Sequence, residues 1–318
     1  MRAIKLLSVI AFLLAVALLA GRLVTAGGEP PQKKTTTEAK ADADQAGEAA
    51  VMVWVRRQTG YQDNPLQSEF RINGETIDVF TSDTQKSIGK HVKKGWNDIV
   101  IETVPQQPAS NNNSLWFSIG PVSRDKRDRQ VMAPLWKFGN GTDWEYKDSK
   151  FSHVTGPDVK KVALSYRVYY AGLEHENGKV RTGDYWLQGR PQTNYLNVPL
   201  TATVYVNDTP LNSFILAERQ VVITPLLKKG KNEIKLVSSR VDNAVYANDI
   251  ILTVAGPAEY HAPRRKYEAK PIVEFKAMQG WEHDKRTGQL VSKADPNAKT
   301  IERVIPFFLD EAPVVEDR

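Results

Sequence analysis

The chain of 318 residues contains no cysteine. That excludes disulfides, thiolate-bound metals and lipid attachment through a cysteine, so the fold must be held by core burial. Long amphipathic helical periodicity is missing, which turns the reading toward strands. No Gly-x-Ser-x-Gly, His-Glu-x-x-His, phosphate loop or dinucleotide glycine fingerprint occurs. His91, His153, His175, His261 and His283 are scattered without paired ligand spacing, and Glu174-His175-Glu176 alone makes no metal site. Carboxylates are plentiful, but nothing pairs two of them as acid and base. Neither enzymatic activity nor a metal or cofactor is expected.

Charge excludes little more. The formal net charge is +6, but residues 1–26 hold Arg2, Lys5 and Arg22 and no acidic residue, so without them it falls to +3. Mild positive charge spread along the chain does not suggest a nucleic-acid partner.

The longest apolar run, Leu6 to Gly21, has about sixteen residues, short of the roughly twenty that span a bilayer. Flanked by Arg2, Lys5 and a Val24-Thr25-Ala26 site, it reads as a secretory signal over residues 1–26. The expected location is periplasmic or extracellular. Left uncleaved, the same run is an N-terminal anchor, and the membrane is met there only. Residues 27–49 mix Lys, Thr, Ala, Asp and Glu with no aromatic or branched aliphatic residue, so they are expected to form a disordered linker.

From Val51 onward the chain is written twice. Phe70-Arg71-Ile72-Asn73-Gly74-Glu75 is echoed by Val204-Tyr205-Val206-Asn207-Asp208-Thr209. His91 to Ile101, containing Lys94-Gly95-Trp96-Asn97, is echoed by Leu226 to Leu236, containing Lys229-Gly230-Lys231-Asn232. Leu115 to Pro121 answers Ile251 to Pro257, and Trp144-Glu145 answers Trp281-Glu282. A repeat of this length means tandem domains, since solenoid periods are several-fold shorter. Short β-branched and aromatic runs between turn residues, with Asn73-Gly74 as a hairpin signal, predict antiparallel sheets. The expected fold is all-β: two tandem antiparallel β-sandwich, jelly-roll-like domains. They cover residues 50–150 and 158–318, the second opening on Val162–Tyr170 and carrying a loop insertion over residues 173–199.

The phrase apolar-x-Val/Ile-Asn-Gly/Asp, then Lys-Lys-Gly-x-Asn-Asp/Glu-Ile, resembles the galactose-binding-like jelly-roll domains found as carbohydrate-binding modules. It is carried by Asn73, Gly74, Lys94, Gly95 and Asn97, and again by Asn207, Asp208, Lys229, Gly230 and Asn232. The resemblance implies the fold; these residues build turns and do not themselves contact sugar.

Aromatic rings stack on sugar faces, so exposed aromatics mark candidate glycan contacts. Trp96, in a polar turn, and Tyr185, Trp186, Arg190 and Tyr195, in the expected insertion, are the candidates. Trp116, Trp144 and Trp281 sit where packing is expected. Two basic clusters, Arg124, Lys126, Arg127 and Arg129, then Arg264, Arg265 and Lys266, come after each Gly-Pro. They read as an acidic-polysaccharide surface or as solvated loops, the former neutralised by Asp125 and Asp128. The expected function is an exported, non-catalytic binding or structural protein of the cell envelope with a polysaccharide ligand. The alternative is a protein-interaction subunit that docks to an envelope protein. A hydrolase is a third reading that no constellation of residues supports.

Overall fold

In the computed structural model, residues 51–173, 179–193, 199–215, 217–246 and 248–314 are described. The expected signal (1–26) and linker (27–49), together with His175 and Tyr195, lie outside them. Residues 49–318 form one unit.

A first set of strands comprises β1 (Val51–Arg57), β2 (Leu66–Ile72), β3 (Glu75–Phe80), β4 (Thr84–Ser87), β5 (Gly95–Pro105) and β6 (Leu115–Arg124). It continues with β7 (Gln130–Met132), β8 (Trp136–Gly139), β9 (Trp144–Lys147), β10 (Lys150–His153) and β11 (Val162–Tyr170). The second set begins with β12 (Trp186–Pro191), β13 (Leu200–Val206), β14 (Thr209–Pro210), β15 (Arg219–Val222), β16 (Gly230–Arg240) and β17 (Ile250–Ala255). It ends with β18 (Glu259–His261), β19 (Lys266–Glu268), β20 (Pro271–Lys276), β21 (Trp281–His283), β22 (Leu290–Ser292) and β23 (Thr300–Leu309).

Alternation makes these strands. β1 buries Val51, Val53 and Val55 and turns Met52, Trp54 and Arg56 the other way; β2 buries Leu66, Ser68, Phe70 and Ile72. Asn73 and Gly74 join β2 to β3 with φ of 52° and 85°, and Asn207 and Asp208 repeat the turn at 46° and 67°. Positive φ at both central residues matches the right-handed twist of the flanking strands, which is why Asn, Asp and Gly occupy them.

Every pairing is antiparallel, and the molecule is all-β. The sheet path β4-β1-β6-β8 is matched by β15-β12-β17-β20, and β11-β5-β2-β3 by β23-β16-β13-β14. Register matches too. Ile72 faces Ile99 and Val206 faces Ile234; Tyr169 faces Trp96 and Phe308 faces Lys231. The duplication therefore extends from residues to strand order.

Two expectations are corrected by this pairing. Val162–Tyr170 does not open the second copy; it pairs with β5 and completes the first. The opening strand of the second copy is β12, which lies inside the span 173–199 expected to be a loop insertion. Its apolar content is short, and Gly183 before it and Gly189 within it read as loop residues, so sheet pairing alone identifies it.

Phe70 of β2 stacks on Phe117 of β6 at 5.5 Å, and Phe80 meets both edge-on at 6.1 and 5.7 Å, so these two sheets share an apolar layer. Buried side chains from Val51 to Leu309 join in one contiguous cluster across both strand sets.

The sets meet at β11. Along its outer edge, Asn243 Nδ2 donates to Ala163 O at 2.7 Å and Thr201 Oγ1 to Arg167 O at 2.8 Å. Ser213 N donates to Tyr169 O at 3.0 Å, while Tyr169 N donates to Ser213 Oγ at 2.7 Å and Ala171 N to Asn212 Oδ1 at 2.6 Å. Asp242 N reaches Ser165 O at 3.4 Å. The second copy thus presents a hydroxyl-rich face that buries Thr201, Thr203, Ser213 and Ser239 against this edge. An edge strand with unpaired main chain is costly to leave exposed, and here it is covered.

Candidate binding surface

Trp96 and Tyr169 are register partners across β5 and β11, so their rings stand side by side on the sheet's outward face. They meet edge-to-face at 5.2 Å and 86°. Tyr205 of β13 extends the row, 6.3 Å from Tyr169, so three rings run from one copy onto the other. Each end carries a cation: the Arg167 guanidinium lies 5.0 Å over Trp96, and Lys235 Nζ 4.3 Å over Tyr205. Burial pushes the Tyr205 phenol above its ordinary range, with Tyr169 and Glu302 adding to the shift. It stays a neutral donor at physiological pH.

Arg167 also lines a cleft of about 340 Å³ at the junction, together with Asp98, Ser165, Arg240, Asp242 and Lys299. Asp242 holds Lys299 at 3.3 Å and Arg240 at 3.9 Å. Ring faces, bound cations and a polar cleft are therefore contiguous through one residue. Such a surface can stack an apolar ring face and hold acidic substituents beside it.

The sequence candidates divide. Trp96 is half-buried in this row. Trp186 is only 6% exposed and packs with Ala255 and Ala258, so its assignment as a glycan contact is corrected: it is a core residue of β12. Tyr185 is partly buried, packs against the main core, donates its main-chain N–H to Thr224 Oγ1 and accepts from Ile223 N on its carbonyl. Arg190 is exposed and lies 3.9 Å from Glu274. Trp96 and Trp186 stand on different sheets.

The basic clusters occupy hairpins and are answered locally. Arg124 pairs with Asp128 at 2.9 Å and Arg129 with Asp125 at 2.7 Å, beside exposed Lys126 and Arg127. Arg264 and Lys266 share Glu268 at 2.9 and 3.2 Å, and Arg265 caps the intervening turn at φ 50°. The Arg129 guanidinium holds the Asp125 carboxyl below the usual carboxylate range.

Trp116 is a second correction. It lies half-buried on the outer face of β6, under Lys137 at 4.4 Å, with Trp54 nearby under Arg56 at 5.5 Å. Trp144 and Trp281 are buried, and Trp281 Nε1 donates to Ser238 Oγ at 2.9 Å.

Sequence reasoning missed Tyr169, Tyr205, Arg167 and Lys235. Their signal was alternation: each takes the polar-face position of a strand-like run, and only pairing of β5 with β11 places Tyr169 beside Trp96. Among the described residues, no group of three or more His, Asp or Glu is placed to hold a metal ion, and no helix is long and apolar enough to cross a membrane. Comparison with protein-family models, curated proteins and solved structures finds no match to this chain.

Proposed function

We propose that this chain is an exported, non-catalytic binding protein of the cell envelope whose ligand is an extended glycan with acidic substituents. The observation that carries the reading is the row Trp96–Tyr169–Tyr205 with Arg167 and Lys235 at its ends. A pyranose presents an apolar C–H face that stacks on such rings, and a carboxylate or sulfate offers each cation a stronger partner than a ring does. The reading also takes each pair of sheets as one jelly-roll-like sandwich, supported by the Phe70–Phe117 stacking and by the duplicated strand order. Export rests on the signal-like residues 1–26.

The test is affinity electrophoresis of the purified protein through acidic and neutral polysaccharides. Trp96→Ala and Tyr169→Ala should each weaken retention by about tenfold, near 1.4 kcal/mol, with unchanged circular dichroism. Trp116→Ala, on the other sheet, should leave retention intact. Retention by no polysaccharide, or retention that survives both substitutions, overturns the proposal.

A second reading, a subunit of a larger envelope assembly, is favoured by one observation: the strand β23 carries exposed Val304 and Phe308.

A further inference from the structure

The junction between the two copies has a vacant counterpart at each end of the molecule. By register, β23 is to β16 what β11 is to β5: Val304 takes the place of Ser165 and Phe308 that of Tyr169. By the same matching, Val79 of β3 takes the place of Ser213, and Val104 of β5 that of Ser239.

At the internal junction these positions meet. Tyr169 exchanges hydrogen bonds with Ser213, and Ser165 and Ser239 line the same cleft. The contact is polar on both sides. At the two ends all four equivalents are apolar and exposed: Val304 54%, Phe308 67%, Val79 53% and Val104 43%. Scattered exposed hydrophobics are ordinary, but these four fall on the matching positions of a docking mode the chain already uses.

We propose that a second copy of this chain docks here, β23 of one molecule lying across the outer face of β3, β2 and β5 of the next. Phe308 then meets Val79, and Val304 meets Val104, apolar contacts at the positions where the internal junction is polar, on a face that also carries Gln67 and the Glu69–Arg71 pair. Pro306 fits this mode. It stands where Arg167 stands on β11, and there only the carbonyl is used, accepting from Thr201. Its missing N–H costs the docking nothing, while it blocks an ordinary added strand. Among the described residues, nothing donates to or accepts from the main chain of Glu302, Val304 or Phe308 along this edge as the second copy does along β11. A contact between unlike surfaces is head-to-tail, so it builds a closed ring or an open chain of molecules and not a two-fold dimer. The inference is independent of any glycan.

Sedimentation velocity over a concentration series tests it. The wild-type protein should grow beyond dimer with concentration. Phe308→Asp and Val79→Asp each remove one end and should weaken association by at least about tenfold. Both residues are exposed, so circular dichroism should be unchanged. An equimolar mixture of the two variants should form a dimer that grows no further, because each partner supplies the end the other lacks. A monomeric wild type, a mixture that stays monomeric, or a Val79→Asp variant that associates normally each overturns the proposal.

Discussion

Asn73 donates its side-chain amide to Asn97 Oδ1 at 2.9 Å, and Asn207 repeats that bond to Asn232 at 2.8 Å. The rest of the network is copied bond for bond. Asn73 also donates to His91 O at 2.8 Å and accepts from Asp98 N at 3.1 Å; Asn207 donates to Leu226 O at 2.7 Å and accepts from Glu233 N at 3.0 Å. Asn97 closes the turn on itself through Lys93 and Gly95, as Asn232 does through Lys228 and Gly230. A buried amide, Asn97, and a partly exposed one, Asn73, thus tie the β2–β3 hairpin to the start of β5, and their counterparts tie β13 to β16. This is the physical content of the repeated Asn-Gly and Lys-Gly-x-Asn phrases: they are clamps, in which the buried Asn97 and Asn232 amides have all their hydrogen bonds made within the protein.

Removing a clamp should cost the same in either copy. Asn97→Ala removes one of the two bonds of the Asn73 Nδ2 amide and all the side-chain bonds to the Lys93 and Gly95 main chain, an expected loss of about 2–4 kcal/mol. Asn232→Ala should match it within about 1 kcal/mol, since the lost bonds are the same. Chemical denaturation midpoints check this; a neutral Asn97→Ala contradicts the clamp.

Trp186 and Trp96 should respond in opposite ways. Trp186→Ala opens a void beside Ala255 and Ala258 and should destabilise by about 3–5 kcal/mol, while folded protein still binds polysaccharide as before. Trp96→Ala, on a half-covered outer face, should cost under about 1.5 kcal/mol and weaken binding. Thermal unfolding measured beside gel retention separates the two effects.

Asp249 gives stability a pH dependence. Burial pushes its carboxyl above the ordinary carboxylate value, against hydrogen bonds from Ile250 N at 2.8 Å and Met278 N at 2.9 Å and the charges of Lys276 and Arg303. The native state therefore holds this proton more tightly than the unfolded chain. Its contribution is present below the unfolded value, about 3.9, and is lost as pH rises through the folded one. Asp249→Asn keeps an acceptor for both amides and buries no charge. That variant should remove this part of the slope and be at least as stable at neutral pH, read from denaturation at a series of pH values. An unchanged slope assigns the effect elsewhere.

Much of the scaffold is legible in the sequence. Asn73-Gly74 announces a primed turn because both residues tolerate positive φ, and alternation in Val51–Arg57 announces a half-buried strand. The repeat was legible because turns depend on specific side chains within a few residues of each other. β12 was not legible: Gly183, Gly189 and Pro191 punctuate it like a loop, and its neighbours β15 and β17 lie more than twenty-five residues away in the chain.

The candidate site was half legible. Trp96 stood out as a large ring in a polar turn, but Trp186 and Trp116 changed places with expectation. Exposure of a tryptophan depends on which face of a strand it takes and on what lies above that face, and neither is local.

The sequence by itself determined the short-range chemistry of this protein: its asparagine and glycine turns, its alternating strands and its lack of thiols. Only the tertiary structure decided that Val162–Tyr170 belongs to the first copy, and that its edge is covered by the second. The reason is physical. Turns and alternation are set by steric preferences within a few residues, whereas strand partners are chosen by burial and main-chain pairing across the whole molecule.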